Sequence, residues 1–270
     1  MKPVFALYRI VNALSLDVVA GAIICAAFFA QLLNVDVLPY GLAALGLAVW
    51  IVYTADHLLD ARRLKDTAST FRHRFHQEHF RLLVIVFALA CVIEFILLFF
   101  IRKPVFYNGL WLGLGVVLYI VINRWLSYFK EVAGALLYSG GVLLPAFSLR
   151  QYAFQISDKL IVLQFLLIVF TNLVLFSWMD YENDIRDKHQ SLVTVANKER
   201  AKIIIWFLFA MFFILNAFTI TAHGKPTVIF FTMELFLFLI FLFPLYFKKD
   251  ERFRFIGDAI FFLPSIALIG

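Results

Sequence analysis

The sequence predicts an all-α fold: a polytopic transmembrane bundle of about nine spans forming a single domain over residues 1–270. Three observations carry this. Apolar residues make up 63% of the chain, whereas a soluble domain averages about 45–50%. Apolar stretches near the roughly 20 residues that a helical span needs recur from one end to the other. Lys and Arg gather in alternate loops, as they do in membrane proteins of fixed orientation.

The first stretch, 13–35, contains the isolated acid Asp17, and the second, 38–58, closes on Asp56. The longest polar segment, about 60–81, separates it from the third stretch, 82–101, which carries Glu94. The fourth, 104–123, ends with Tyr119 and is followed by Arg124; the fifth, 132–149, follows Lys130 and Glu131. The sixth, 160–179, contains Asn172 and runs into Asp180. The seventh is 201–222, and the eighth, 227–247, holds Glu234. The ninth, 255–270, is short and reads as a partial or tilted span.

With this division, 19 of the 24 Lys and Arg fall on the side of the N-terminus. The other side has Arg102, Lys103, Arg150, Lys159 and Lys225. The asymmetry predicts a cell (inner) membrane protein with its N-terminus and both acidic motifs in the cytoplasm. No cleavable signal peptide and no nucleic-acid partner are expected. Cys25 and Cys91 lie inside apolar runs, which excludes a disulfide framework and a Cys-based metal site. Phe occurs 33 times. Most of it reads as lipid-facing bulk, and the remainder suits an apolar channel for a long hydrocarbon ligand.

Two acidic clusters sit at matching places. Asp56-His57-Leu58-Leu59-Asp60 closes the second span, and Asp180-Tyr181-Glu182-Asn183-Asp184-Ile185-Arg186-Asp187 closes the sixth. Carboxylates are costly near a bilayer. The separations Asp56/Asp60 and Asp180/Asp184 are four residues, and Asp187 follows three later, so each set shares one helix face. Hard carboxylate oxygens suit Mg²⁺ rather than zinc. Asp56, Asp60, Asp180 and Asp184 are therefore the candidate catalytic and metal-holding residues, with Asp187 a further metal ligand. Arg62, Arg63, Lys130, Arg186 and Lys188 are the candidate diphosphate-binding residues. An interfacial Asp–Arg pair that merely ends a span, or a solvated acidic loop, accounts for the same residues without a metal.

His73, His76 and His79 recur every third residue. A three-His metal site is one reading, and a solvated basic helix beside anionic lipid is the favoured one. That loop is a candidate cap over the cavity. Asp17, Glu94 and Glu234 are intramembrane acids, and Asn172 lies two helical turns before Asp180.

These residues resemble the UbiA superfamily of intramembrane prenyltransferases, which places an Asn/Asp-rich motif at the end of span 2 and an Asp-rich motif at the end of span 6. Asp56 and Asp60 match the last two acids of the first motif, and Asp180, Asp184 and Asp187 match the second, followed by Ser191-Leu192-Val193-Thr194. The stretch from Lys130-Glu131 to Pro145 is similar to the family's Gly- and Pro-bearing fifth span. Val52-Tyr53 stand where the family has Asn-Asp, and His189-Gln190 replace the usual Gly and basic residues.

The resemblance implies Mg²⁺-dependent transfer of a prenyl group from a prenyl diphosphate to a lipophilic or aromatic acceptor. Tyr53, Trp178 and Tyr181 are placed to stabilise an allylic cation. It also implies that both acidic clusters serve one site. The missing Asn-Asp pair keeps a non-catalytic lipid-binding or transport homologue as the alternative. A CDP-alcohol phosphotransferase ranks low, because Asp60-Ala61-Arg62 lacks the Asp-Gly before Ala-Arg that it requires.

The orientation is open to a direct test. Cysteine introduced at Ser69 or Gln190 is expected to resist a membrane-impermeant thiol reagent in intact cells. Labelling of either from outside would overturn the topology.

Overall fold

Hydrocarbon offers the backbone no water to bond, so a segment that crosses it must satisfy its own N–H and C=O groups, and a helix does so completely. The computed structural model describes residues 3–63, 68, 70–153, 155–187, 189–221 and 223–268, and every regular element among them is helical. In chain order these are α1 (Pro3–Ala13), α2 (Leu16–Leu32), α3 (Pro39–Arg63), α4 (Phe71–Glu78), α5 (Phe80–Leu97), α6 (Lys103–Leu126) and α7 (Lys130–Leu149). There follow α8 (Ile156–Met179), α9 (Tyr181–Arg186), α10 (Leu192–Ala196), α11 (Lys198–Thr219) and α12 (Gly224–Leu242). The chain closes with α13 (Pro244–Lys248), α14 (Arg252–Ala259) and α15 (Ser265–Leu268).

Among the described residues seven helices are long and apolar enough to cross a membrane, or eight if the bent pair Leu7–Ala13 and Leu16–Leu32 is one span. These coincide with the first eight expected stretches. The chain is thus a multi-pass membrane protein. The bend of 68° between α1 and α2 has a cause in sequence. Ser15 sits in the left-handed region, with φ 55°. Asp17 then accepts hydrogen bonds from the Tyr8 hydroxyl at 2.9 Å and from Asn12 Nδ2 at 2.7 Å. This intramembrane acid therefore pins a bend.

The ninth stretch differs from a single span. It is α14, a 3-10 turn at Ile260–Phe262, and α15. Pro264 lies between the last two; it has no N–H to donate and restricts the residue before it. The eighth stretch is likewise cut at Phe243, where Pro244 opens α13.

The chain divides into two compact units: residues 1–120 with 141–149, and residues 121–140 with 150–270. In the first, α3 packs against α2, α4 and α5. Gly46 permits the close α2–α3 approach, because a Cβ there would stand 2.6 Å from Ile23 Cδ1. Phe28 and Phe29 are buried, whereas Leu82, Ile85, Leu89 and Phe95 of α5 are exposed, as lipid-facing residues are.

In the second unit α8 is the hub, packed against α9, α10, α11, α12 and α14. Its Phe165, Ile168 and Leu175 are fully buried. Lipid tails are as apolar as these side chains, so close packing rather than water exclusion holds such helices together. Residues Asn172, Phe176 and Asp180, four apart, form the stripe of α8 that meets α14. Phe176 packs edge-on against Phe253 at 5.4 Å, and Gly257 lies against Phe176 and Asn172, where a Cβ would be 2.9 Å from Asn172 Oδ1.

Gly257→Val is expected to destabilise the protein by the roughly 1–3 kcal/mol of an overpacked contact. Thermal unfolding in detergent reads this. Trimming the opposing ring in the double variant Gly257→Val/Phe176→Leu is expected to restore part of the loss; no restoration would mean that this contact is not what limits α14.

Candidate functional site

The second acidic motif begins where α8 stops. Asp180 is the C-cap of α8, with φ −90° and ψ 3°, and the chain re-enters a helix at once as α9. The backbone N–H of Asp184 bonds the Asp180 carbonyl at 2.9 Å, so the two carboxylates sit one turn apart. A helix C-terminus carries negative partial charge, and a carboxylate there calls for a cation. Arg254 of α14 supplies one: its guanidinium donates to Asp180 Oδ2, with both side chains largely buried. The same guanidinium lies over the rings of Phe176 and Phe253.

Asp184 is half-buried and is not fully compensated. Burial, and then the charge of Asp180, push its carboxyl from the ordinary 3.8 up to about 7, against the opposing pull of Arg254 and Lys130. Lys130 Nζ donates to His189 Nε2 at 2.7 Å, which holds it beside the motif. Asp187, the C-cap of α9, is half-buried.

Two other acids are occupied by structure. Glu131 is buried, accepts from the Ser177 hydroxyl at 2.8 Å and takes the Leu192 N–H at 3.0 Å, joining α7, α8 and α10. Glu182 is exposed and pairs with Lys198 and Lys248, both at 2.5 Å. Partial burial works to raise its carboxyl, but these two lysines outweigh it and bring it down to about 2.

The first motif lies at the end of α3 in the other unit. Asp60 is buried and Asp56 half-buried, and their spacing keeps them on one face. His57, between them, is buried and packs against Tyr53, His73 and His76. His76 is thus a buried residue rather than part of a solvated face. Only His79 behaves as expected there, exposed and stacked on Phe75 at 4.4 Å. Arg62 and Arg186 are exposed. The side chain of Arg63, and Lys188 as a whole, lie outside the described residues. Among the described residues, no group of three or more His, Cys, Asp or Glu is placed to hold a metal ion.

The structure places Lys130 where its charge acts on Asp184. It adds Arg254, one of the 19 Lys and Arg on the side of the N-terminus and not otherwise singled out in the sequence. The one signal that pointed to it was the Asp258 carboxylate four residues on, which marks a charged helix face next to an apolar segment.

No family model matches the chain, and no curated protein matches it. Solved structures do. The chain is similar to the apo structure of a UbiA homologue from Aeropyrum pernix K1, with TM-score 0.69 and 14% identity over 93% of this chain and 96% of that one. It is also similar to a UbiA homologue from Archaeoglobus fulgidus bound to GPP and Mg²⁺, with TM-score 0.65 and 15% identity over 96% and 98%. The same homologue bound to DMAPP and Mg²⁺ gives TM-score 0.61 and 15% identity over 96% and 98%. The fold is that of the UbiA homologues.

The Asp184 shift sets a pH dependence. The folded chain holds a proton that the unfolded chain releases near 3.8, so this group's contribution is fully present below about 3.8 and is lost as pH rises through about 7. Without divalent cations, Asp184→Asn is expected to melt above the native protein at pH 8 and to match it at pH 4. A constant offset across that range would show that Asp184 is not the titrating group.

Proposed function

We propose that this chain is an intramembrane prenyltransferase that transfers a prenyl group from a prenyl diphosphate to a lipophilic or aromatic acceptor, with Mg²⁺ as cofactor. One observation carries the reading. In a fold shared with a homologue bound to GPP and Mg²⁺, two carboxylates one turn apart, Asp180 and Asp184, meet two cations, Arg254 and Lys130, at the end of the central helix.

The donor set fits the metal. It consists of hard oxygens, with no thiolate, and its uncompensated negative charge leaves Asp184 short of a cation. Asp180 and Asp184 would hold Mg²⁺, with Asp187 beside them, and Asp56 and Asp60 are assigned the same role from the first motif. When bound, Mg²⁺ supplies neutralisation of the diphosphate as it leaves the allylic carbon.

The chain's own cations do the rest of the anion binding. Arg254 has a planar, permanently charged head suited to phosphate oxygens. Lys130, with Arg186, Arg62, Arg63 and Lys188, adds point charges. Releasing Arg254 from Asp180 to a diphosphate exchanges one anion for another, so the guanidinium stays paired throughout. Trp178 and Tyr181, whose faces already meet Lys198 Nζ at 5.6 and 5.7 Å, have the π-density to stabilise an allylic cation. The sequence orientation puts this chemistry at the cytoplasmic side of the inner membrane.

A non-catalytic lipid-binding role is favoured by one feature: Tyr53 offers an aromatic ring to His57, at 6.3 Å, where the related family has an acid. Turnover of a prenyl diphosphate by purified protein with Mg²⁺ separates the two readings. Non-hydrolysable prenyl diphosphate, titrated at several Mg²⁺ concentrations, ranks the motifs. With fewer oxygens on the first motif, Asp184→Asn is expected to weaken Mg²⁺-dependent binding at least tenfold, and more than Asp56→Asn does; a charge-assisted contact contributes roughly 1.5–3 kcal/mol. Native-like binding by both variants would remove the carboxylates from the site.

A further inference from the structure

We propose that His189 is the positioning residue for Lys130: its imidazole holds the lysine ammonium at the second acidic motif, with its charge intact for a diphosphate oxygen. The inference rests on the reading of this turn as a diphosphate site, and it adds a residue that acts through Lys130 alone.

The backbone brings His189 to the motif. The chain leaves α9 through Asp187, and the N–H of His189 bonds the Asp184 carbonyl at 2.7 Å. The turn that opens α7 grips the segment that follows. Ser127 Oγ donates to Gln190 Oε1 at 2.9 Å, and the Leu192 N–H donates to Glu131 at 3.0 Å. Beside these ties Lys130 Nζ meets His189 Nε2 at 2.7 Å.

This pair differs from the other cations of the turn. Lys198 and Lys248 are both paired with Glu182, and Arg254 is paired with Asp180. Among the described residues Lys130 has no ion pair with a carboxylate, and its hydrogen bond goes to His189. An ammonium only donates, so Nε2 accepts; the ring is neutral and carries its proton on Nδ1. A carboxylate at position 189 would hold the ammonium but cancel its charge, and a lysine or arginine would repel it. A neutral imidazole holds it and leaves the charge whole, and that charge reaches Asp184.

The contact also survives ligand binding. An ammonium has three N–H donors, so Lys130 can keep His189 on one and give the others to phosphate oxygens. Lysine has a flexible four-carbon stem, and ordering such a side chain at a ligand weakens binding. With His189 in place the stem is ordered before the ligand arrives.

The test titrates a non-hydrolysable prenyl diphosphate, with Mg²⁺, into the full chain in detergent. His189→Ala is expected to weaken binding about fivefold, the effect of ordering one long side chain at the ligand. His189→Gln offers a neutral acceptor close to the place of Nε2 and should restore native-like binding. His189→Asn, too short to reach Nζ, should behave as His189→Ala does, and it gives the comparison with glutamine if the alanine variant does not fold. Gln190→Ala removes the neighbouring tie to Ser127 and should bind as the native chain does. In the Lys130→Met background, His189→Ala should weaken binding no further. Equal binding by native protein and His189→Ala, failure of His189→Gln to restore it, an equal loss in Gln190→Ala, or a further loss in the double variant would each overturn the positioning role while the diphosphate site stands. Native protein that binds no diphosphate would overturn the site and the role together.

Discussion

Asp180 ends a 24-residue helix whose last carbonyls add to its own negative charge, and it does so largely out of water. Such an arrangement stands only with a cation in place, and Arg254 is that cation. Removing one partner from a buried pair costs about 3–5 kcal/mol, because the other charge is left uncompensated. The pair therefore ties α14 to α8 and sets where the chain turns into α9. The stripe Asn172–Phe176–Asp180, the close approach at Gly257 and the aromatic faces around the guanidinium all serve the same contact.

The remaining acids of the second unit divide by what surrounds them. Glu131 gives its oxygens to a hydroxyl and a backbone N–H, and so positions α10 against α7 and α8. Glu182 is satisfied twice by lysines and holds α9 to α11 and α13 from its outer side. Neither has charge to spare. Asp184, inside the same turn, has Asp180 as a neighbour, and burial with that neighbour outweighs the pull of Arg254 and Lys130. A buried acid raised by burial and by an aspartate neighbour, against the pull of two cations, is the electrostatic feature on which the proposed cation site rests.

The first eight spans were legible because in a membrane hydropathy reports directly on what a helix must be. The bend between α1 and α2 was not, because it depends on a left-handed Ser15 and on hydrogen bonds to Asp17 that hydropathy does not register. The last span was read as continuous because its composition is apolar throughout; Pro264 breaks it for a backbone reason that apolar counting ignores. At the candidate site, the acids and Lys130 were named from spacing and from family resemblance, and the structure gathers Asp180, Asp184 and Lys130 at the end of α8. Arg254 was hidden because its partner lies 74 residues away, and pairing over that distance leaves no local pattern. His76 was misjudged for a similar reason. The three-residue spacing of the histidines described one helix, while the burial comes from His57 on another.

That last point bears on how the first motif differs from the family pattern. Val52 and Tyr53 remove oxygen donors from the turn before Asp56. In the same region the chain gathers imidazoles: Tyr53 packs on His57, and His57 on His73 and His76. A ring at position 53 is compatible with a ring at 57 one turn later, whereas a carboxylate there would add a third negative charge to Asp56 and Asp60 on the same face. Tyr53 and the histidines therefore form one set of packed rings at the end of α3. The two acidic motifs, similar in spacing, thus have unlike surroundings: the second lies beside Arg254 and Lys130, and the first beside packed rings that join α3 to α4.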